Sequence, residues 1–217
     1  MRLLLVAGAI VCATGDAAMQ VPATPPASGL RNAEEGRPFV RTYSPLDVNA
    51  AGQNWSIVQD ARGVIYVGSQ NGVIEFDGVN WRLIETKNLS TVRSLAIDDA
   101  GVIYVGAALD FGYLAPDATG LLQYVSLGDK VPEDARGFND VWRTFATSTG
   151  VLFQTEQSVF RWAGGVMTVI RPTSRFNRAS LVDGQLYLTM PESGLNVLDG
   201  DTLRPLPGTS ALAAEVY

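Results

Sequence analysis

The sequence predicts an all-β protein, a β-propeller built of four-stranded antiparallel blades. Three observations predict this fold: a turn that ends in glycine recurs four times, each turn separates two short apolar segments, and no amphipathic helix follows the N-terminal segment. The turn glycines are Gly63, Gly101, Gly150 and Gly184, at intervals of 38, 49 and 34 residues. A period of about 40 residues with four strands per repeat is typical of propeller blades.

Each repeat begins with a predicted hairpin. The segments Ile65-Tyr66-Val67-Gly68 and Ile103-Tyr104-Val105-Gly106 follow the first two turns, and Asp60 and Asp98 open those turns. Aspartate suits a turn because its side chain binds the backbone ahead of it, and glycine tolerates a positive φ at the exit. Two more short apolar segments complete each repeat. We predict an incomplete propeller over 50–217, with blades at residues 54–86, 92–127, 141–171 and 176–207 and the start of a fifth at 211–217.

The N-terminus is predicted to be a signal peptide, residues 1–18. Arg2 supplies a positive charge, residues 3–11 form a short apolar run, and residues 15–18 are mostly small, as a cleavage site requires. The run is too short to span a bilayer. Because Cys12 lies inside this segment, we expect a mature chain without cysteine or lipid anchor.

Residues 19–49 are rich in proline and alanine and are predicted to be an extended linker. Downstream of it no apolar segment is long enough to form a transmembrane helix. Export without a membrane span in this chain is consistent with a periplasmic location.

The composition excludes several chemistries. The chain of 217 residues has no histidine and one cysteine, so it cannot form a Ser-His-Asp site or the usual Cys/His zinc cage. We therefore expect no cofactor and no metal. A formal net charge of -6 argues against nucleic acid as a partner, because phosphate backbones are bound by clustered lysine and arginine.

The repeats resemble a known family. Residues 57–81, with the pattern I-x-x-D-x-x-G-x-I-Y-V-G-x-x-x-G-x-x-x-F-D-G-x-x-W, closely resemble the two-component regulator propeller repeat. The segments 111–120 and 124–127 are similar to the matching blade of its periplasmic sensor propellers. The resemblance, over about residues 50–217, implies a ligand-sensing input domain from a propeller of about seven blades.

In that family the propeller precedes a membrane helix and an output domain. The output is a histidine kinase, a diguanylate cyclase or a DNA-binding regulator, and none of these is in this sequence. The resemblance thus implies the N-terminal part of a receptor tethered to the inner membrane, with a dimer formed through the receptor. It also implies that this part binds a ligand and is not an enzyme.

The candidate binding residues start the innermost strand of each blade, where side chains converge on the propeller axis. Eight positions before the turn glycines stand Trp55, Arg93, Trp142 and Phe176, and their polar neighbours are Asn54, Arg143, Asn177 and Arg178. Aromatic faces with arginine and asparagine suit a small polar ligand such as a sugar or a carboxylate-bearing oligosaccharide. The alternative is that the aromatic residues pack between blades and the arginines face solvent.

Two other functions remain open from the sequence. A carbohydrate-active propeller enzyme would need paired carboxylates, and the acids to consider are Glu75, Asp110, Asp140 and Glu156. A protein-interaction scaffold would expose a broad apolar patch instead. The polar connection at residues 127–137 explains the longest interval, and an ordinary surface loop is favoured there over a binding loop.

Overall fold

The computed structural model describes residues 40–44, 48 and 52–214. The predicted signal peptide lies outside the described residues, as does nearly all of the predicted linker. The chain divides into two units, Met1–Arg41 and Thr42–Tyr217, and the blades all belong to the second. Within the described residues no helix has the length and apolarity needed to cross a membrane.

The described residues of the second unit form four antiparallel sheets, each with its strands in sequence order. The first blade comprises β1 (Asn54–Gln59), β2 (Ile65–Ser69), β3 (Gly72–Phe76) and β4 (Trp81–Glu85). The second comprises β5 (Val92–Ile97), β6 (Ile103–Ala107), β7 (Phe111–Pro116) and β8 (Leu122–Ser126). The third comprises β9 (Arg143–Thr147), β10 (Gly150–Gln154), β11 (Val159–Ala163) and β12 (Val166–Ile170). The fourth comprises β13 (Arg178–Val182), β14 (Gln185–Met190), β15 (Gly194–Asp199) and β16 (Thr202–Pro205).

The predicted fold class is confirmed, and the strands fall within the four predicted blades. The turns form for the reason given by the sequence: the Asp60 carboxylate accepts the backbone N–H groups of Arg62 (2.9 Å) and Val64 (3.0 Å), and Gly63 takes a φ of 87°. Asp98 repeats this arrangement in the second blade with the N–H groups of Ala100 and Val102.

The hydrophobic cores lie between consecutive blades. The core between the first and second blades includes Tyr66, Val73, Val92 and Val105. The core between the second and third includes Phe111, Phe138, Phe153 and Phe160, and the core between the third and fourth includes Leu152, Phe176, Leu186 and Leu188. Burying a large apolar side chain contributes about 1.5–3 kcal/mol, so each blade is stabilised mainly by its neighbours.

The first blade has one face that no other described blade covers. Ile57 pairs with Val67 across the hairpin, and Leu95 holds the same register position opposite Val105 in the second blade. Leu95 is 6% exposed because the first blade packs on it, whereas Ile57 is 68% exposed. Ile57 thus keeps the apolar character of this register position, although no described residue covers its side chain.

Four short 3-10 helices lie outside the sheets in the described residues, at Lys87–Leu89, Gly128–Lys130, Glu133–Ala135 and Ser210–Ala214. The last occupies the start of the predicted fifth blade, and no strand forms there as far as residue 214. The other three lie in the connections that precede the second and third blades. The remaining three residues of the predicted segment lie outside the described residues.

Candidate ligand-binding site

The predicted site residues lie at one end of the blades. Successive strands alternate in direction, so the beginnings of the inner strands β1, β5, β9 and β13 share an end with the connections between blades. A cavity of about 620 Å³ opens there. It is lined by Trp55, Arg93, Trp142, Arg143, Gln154, Asn177, Arg178, Ala179 and Ser180. We call it the axial cavity; six of the eight candidate binding residues line it.

Arg93 lies between two tryptophans and is already paired. Its guanidinium carbon is 4.0 Å from the ring centroid of Trp55 and 5.0 Å from that of Trp142. Its Nε donates to Oδ1 of Asp140 at 2.7 Å, and the two side chains are 19% and 23% exposed. Stacking and ion pairing together fix this side chain, and the aspartate cancels its charge.

Arg143 and Arg178 differ from Arg93 in having no such partner. Both side chains are exposed, and neither guanidinium group forms an ion pair or hydrogen bond with any residue that the structure describes. They hold the same register position in neighbouring blades, Arg143 opposite Gln154 and Arg178 opposite Thr189. The axial cavity therefore carries two positive charges that the described part of the protein leaves uncompensated.

Gln154 presents a buried acceptor at the cavity. The residue is 1% exposed, and its Nε2 donates to the backbone oxygen of Thr155 at 2.8 Å. A carbonyl oxygen only accepts, so this bond fixes the orientation of the amide. Oε1 has no hydrogen-bond partner among the described residues. A buried acceptor left unpaired costs about 1–3 kcal/mol, so this atom is suited to a bound donor.

The sequence analysis did not single out Gln154, although a signal was present. Serine and glycine face each other in the first two blades, Ser56 opposite Gly68 and Ser94 opposite Gly106. In the third blade arginine and glutamine take these places. The strand register therefore shows where the third blade departs from the Ser–Gly pair of the repeat, and the two polar residues at that place line the axial cavity.

Two of the eight candidates do not line the axial cavity. Asn54 pairs with Ser69 at the exposed edge of the first hairpin. The expected position of Phe176 is wrong: it is 1% exposed and packs in the core between the third and fourth blades. Arg178 holds the register position of Ser56. Asn177, which precedes Arg178, therefore corresponds to Trp55, which precedes Ser56.

This misplacement has a simple cause in the place of the turn glycine. Thr147 pairs with Gly150 in the third blade, and Val182 pairs with Gln185 in the fourth, so two residues form each turn. Gly150 is the first residue after its turn, whereas Gly184 lies inside its turn. Counting eight residues back from Gly184 therefore ends one residue too early on the inner strand.

The four candidate acids lie outside the axial cavity. Glu75 accepts Arg82 Nε at 2.7 Å, Asp140 accepts Arg93, and Asp110 accepts the hydroxyls of Tyr124 (3.0 Å) and Ser126 (2.8 Å). Burial and the charge of Asp110 raise the pKa of Tyr124 above its ordinary value. Glu156 is exposed beside β10. The described residues contain no group of three or more histidine, cysteine or acidic side chains placed to hold a metal ion.

The long connection forms part of a second cavity, of about 530 Å³. Its walls include Asp110 and residues from Lys87–Thr91 and from the segment Gly128–Phe138. Leu89 and Leu109 line it at positive φ, 53° and 64°, and are 51% and 70% exposed. The long connection is therefore not only a surface loop, because its residues Val131 and Phe138 are buried in the core between the second and third blades.

The chain was also compared with known proteins. No protein-family model matches it, and no curated protein matches its sequence. A solved structure with 19% identity and a TM-score of 0.53 is the extracellular domain of a protein described as a hybrid two-component system from B. thetaiotaomicron; the match covers 72% of this chain and 25% of that one. The sheets are propeller blades.

Other solved structures match with similar TM-scores. Virginiamycin B lyase from Staphylococcus aureus has 13% identity and a TM-score of 0.50 over 72% of this chain and 57% of its own. The WD40 propeller domain of Doa1 has 12% identity and a TM-score of 0.51 over 69% and 52%. The chain thus spans a quarter of the sensor domain and little more than half of the other two. At these identities the likeness establishes the fold alone.

Proposed function

We propose that this chain is the periplasmic ligand-sensing input domain, or part of one, of a bacterial transmembrane receptor. The observation that carries the proposal is the axial cavity, where four blades bring tryptophan faces, an amide and two uncompensated guanidinium groups to one place. The repeat pattern resembles that of sensor propellers, and an extracellular sensor domain is among the structural neighbours. Tethering to the inner membrane and dimerisation through the receptor belong to the same proposal.

The chemistry of the axial cavity supports binding rather than catalysis. In the part of the chain that the structure describes, no carboxylate lines the axial cavity, and three of the four candidate acids are paired with other side chains. A glycosidase would need two carboxyl groups that flank its substrate. The lyase among the neighbours keeps an enzyme as the alternative, whereas the exposed Ile57 face would suit the interaction-scaffold alternative.

Titration of the chain with a panel of small sugars and organic acids tests the proposal. Because Trp55 and Trp142 line the axial cavity, an occupant should change tryptophan fluorescence, and calorimetry should give the affinity. We expect Asn177→Ala to weaken binding severalfold. The control is Asn80→Ala, in the turn between β3 and β4 of the first blade, which should leave the affinity unchanged. Binding that is indifferent to Asn177 and to both tryptophans would contradict an axial site.

A further inference from the structure

We infer that the axial cavity takes a hydroxylated anion of the sugar-acid class. This inference rests on the proposed function, which makes the axial cavity the ligand site, and it adds the charge and the hydrogen-bonding groups of the ligand. Three observations carry it: the balance of charge in the cavity wall, the unpaired acceptor of Gln154, and the exposed ring of Trp55.

The charge balance favours an anion. Among the residues that the structure describes, three arginines and no acid line the axial cavity, although the chain as a whole has a formal net charge of -6. Asp140 cancels the charge of Arg93, which leaves Arg143 and Arg178. Concentrated positive charge in a concave site attracts anions, and the planar guanidinium fork matches the two oxygens of a carboxylate or sulfate.

The buried acceptor requires a donor on the same ligand. Gln154 is among the lining residues, its Oε1 has no partner among the described residues, and the bond from Nε2 to the Thr155 carbonyl fixes which atom of the amide is left unpaired. A carboxylate or sulfate has no proton to donate to Oε1. A hydroxyl group does, so the ligand that satisfies both Gln154 and the arginines carries hydroxyls beside its acid group.

The aromatic wall favours a ring. Trp55 is 42% exposed at the axial cavity, while Arg93 covers part of its indole. The apolar face of a pyranose packs well on such a surface. A sugar acid, which combines a ring face, hydroxyls and an anionic group, therefore fits the axial cavity better than a neutral sugar or a simple inorganic anion.

Calorimetry with two matched disaccharides tests the inference. The probes are digalacturonate and the neutral galactobiose with the same linkage. We expect the chain to bind the acid at least about tenfold more tightly, since charge-assisted hydrogen bonds are markedly stronger than neutral ones. Arg143→Gln with Arg178→Gln should remove that preference. Arg175→Gln, an exposed arginine that does not line the axial cavity, is the matched charge control and should change nothing.

A second variant separates the hydroxyl from the charge. Gln154→Met keeps the size of the side chain and removes the acceptor. It should weaken digalacturonate about fivefold and leave the affinity for inorganic sulfate unchanged, with circular dichroism confirming the fold. An equal loss for sulfate would contradict the role of Oε1.

The outcomes distinguish this inference from the proposed function. If galactobiose binds as tightly as digalacturonate and the double arginine variant behaves like the wild type, the inference is wrong and the axial site stands. If neither disaccharide nor sulfate binds, the inference is overturned, and the wider panel with Asn177→Ala then decides the proposed function independently.

Discussion

The inner strands of the first two blades and of the last two use one register position differently. In the first two blades it holds Ser56 and Ser94, opposite glycine. Ser56 Oγ accepts the backbone N–H of Leu95 at 3.1 Å, and Ser94 Oγ lies 2.9 Å from the carbonyl oxygen of Val141. In the last two blades it holds Arg143 and Arg178, whose side chains have no hydrogen-bond or ion-pair partner among the described residues.

The residue across the hairpin explains the difference. A Cβ added to Gly106 would overlap the hydroxyls of Ser94 and Thr144, so glycine is what lets neighbouring inner strands approach at this point. Gln154 and Thr189 stand at the matching places of the third and fourth blades. The same register position thus joins neighbouring blades in the first two blades and carries exposed arginine side chains in the last two.

The largest effect should separate two adjacent residues, one structural and one in the axial cavity. Phe176→Ala removes a fully buried ring and should lower the free energy of unfolding by about 3–5 kcal/mol. Asn177→Ala should lower it by less than about 1 kcal/mol, because Asn177 is half-buried at the axial cavity. Guanidinium unfolding measures both. A loss for Phe176→Ala no larger than the loss for Asn177→Ala would show that the Phe176 ring is not buried in the core.

The next effect contrasts the two uses of the shared position. Ser94→Ala leaves the buried carbonyl of Val141 without this donor, so stability should fall by about 1–3 kcal/mol. Arg143→Ala removes an exposed side chain and should change stability by no more than about 0.5 kcal/mol. Thermal unfolding of the two variants checks this. A large loss for Arg143→Ala would show that its side chain is structural.

A smaller effect should follow from uncovering the charge of Arg93. Asp140→Asn keeps the shape of the partner but removes its charge, so we expect a stability loss of about 1–2 kcal/mol. The axial cavity gains a third uncompensated positive charge, so its affinity for sulfate should rise about two- to fivefold. Calorimetry gives the affinity. An unchanged or weaker affinity would argue that Arg93 acts only as a spacer between the tryptophans.

The smallest effects are those of pH. They should change the stability that the turn aspartates contribute but not the affinity of the axial cavity. Burial opposes ionisation of Asp60, but hydrogen bonds from Arg62 and from the backbone of Val64 outweigh it and hold its pKa below 3.8. Backbone N–H groups of Asn80 and Val79 likewise lower the pKa of Asp77. Carboxyl groups with lowered pKa stabilise the fold above the ordinary value, and this contribution is lost as pH falls through the folded pKa.

We therefore expect stability to decline only below about pH 4, while affinity for digalacturonate stays flat between about pH 5 and 9. Guanidinium groups keep their charge throughout that range, and the chain has no histidine. Calorimetry across the range checks the second part. A step in affinity near neutral pH would point to a titrating group that the axial cavity does not contain.

Much of the fold could be predicted because each blade repeats its own local signals. The Asp60 and Asp98 turns and the Ile-Tyr-Val-Gly strands depend on neighbouring residues only, so the sequence shows them directly. The exposure of Ile57 could not be predicted in this way. It depends on whether another blade packs on that face, and the apolar pattern is the same in either case.

The site was predicted less completely, for reasons of register. Trp55, Arg93 and Trp142 line the axial cavity because the spacing from the turn glycine holds in the first three blades, and their role in binding stays a prediction. Phe176 was misplaced because Gly184 lies inside the turn of the fourth blade, whereas Gly150 is the first residue after the turn of the third. The pairing of Arg93 with Asp140 joins residues 47 apart in sequence, which no local pattern reveals.

The most direct test of the central claim is an NMR titration that follows the side-chain Nε–H signals of arginine during addition of digalacturonate. The account predicts saturable shifts of the Arg143 and Arg178 signals, with Arg175 and the paired Arg82 unmoved. Shifts confined to arginines outside the axial cavity, with Arg143 and Arg178 unperturbed at saturation, would contradict it.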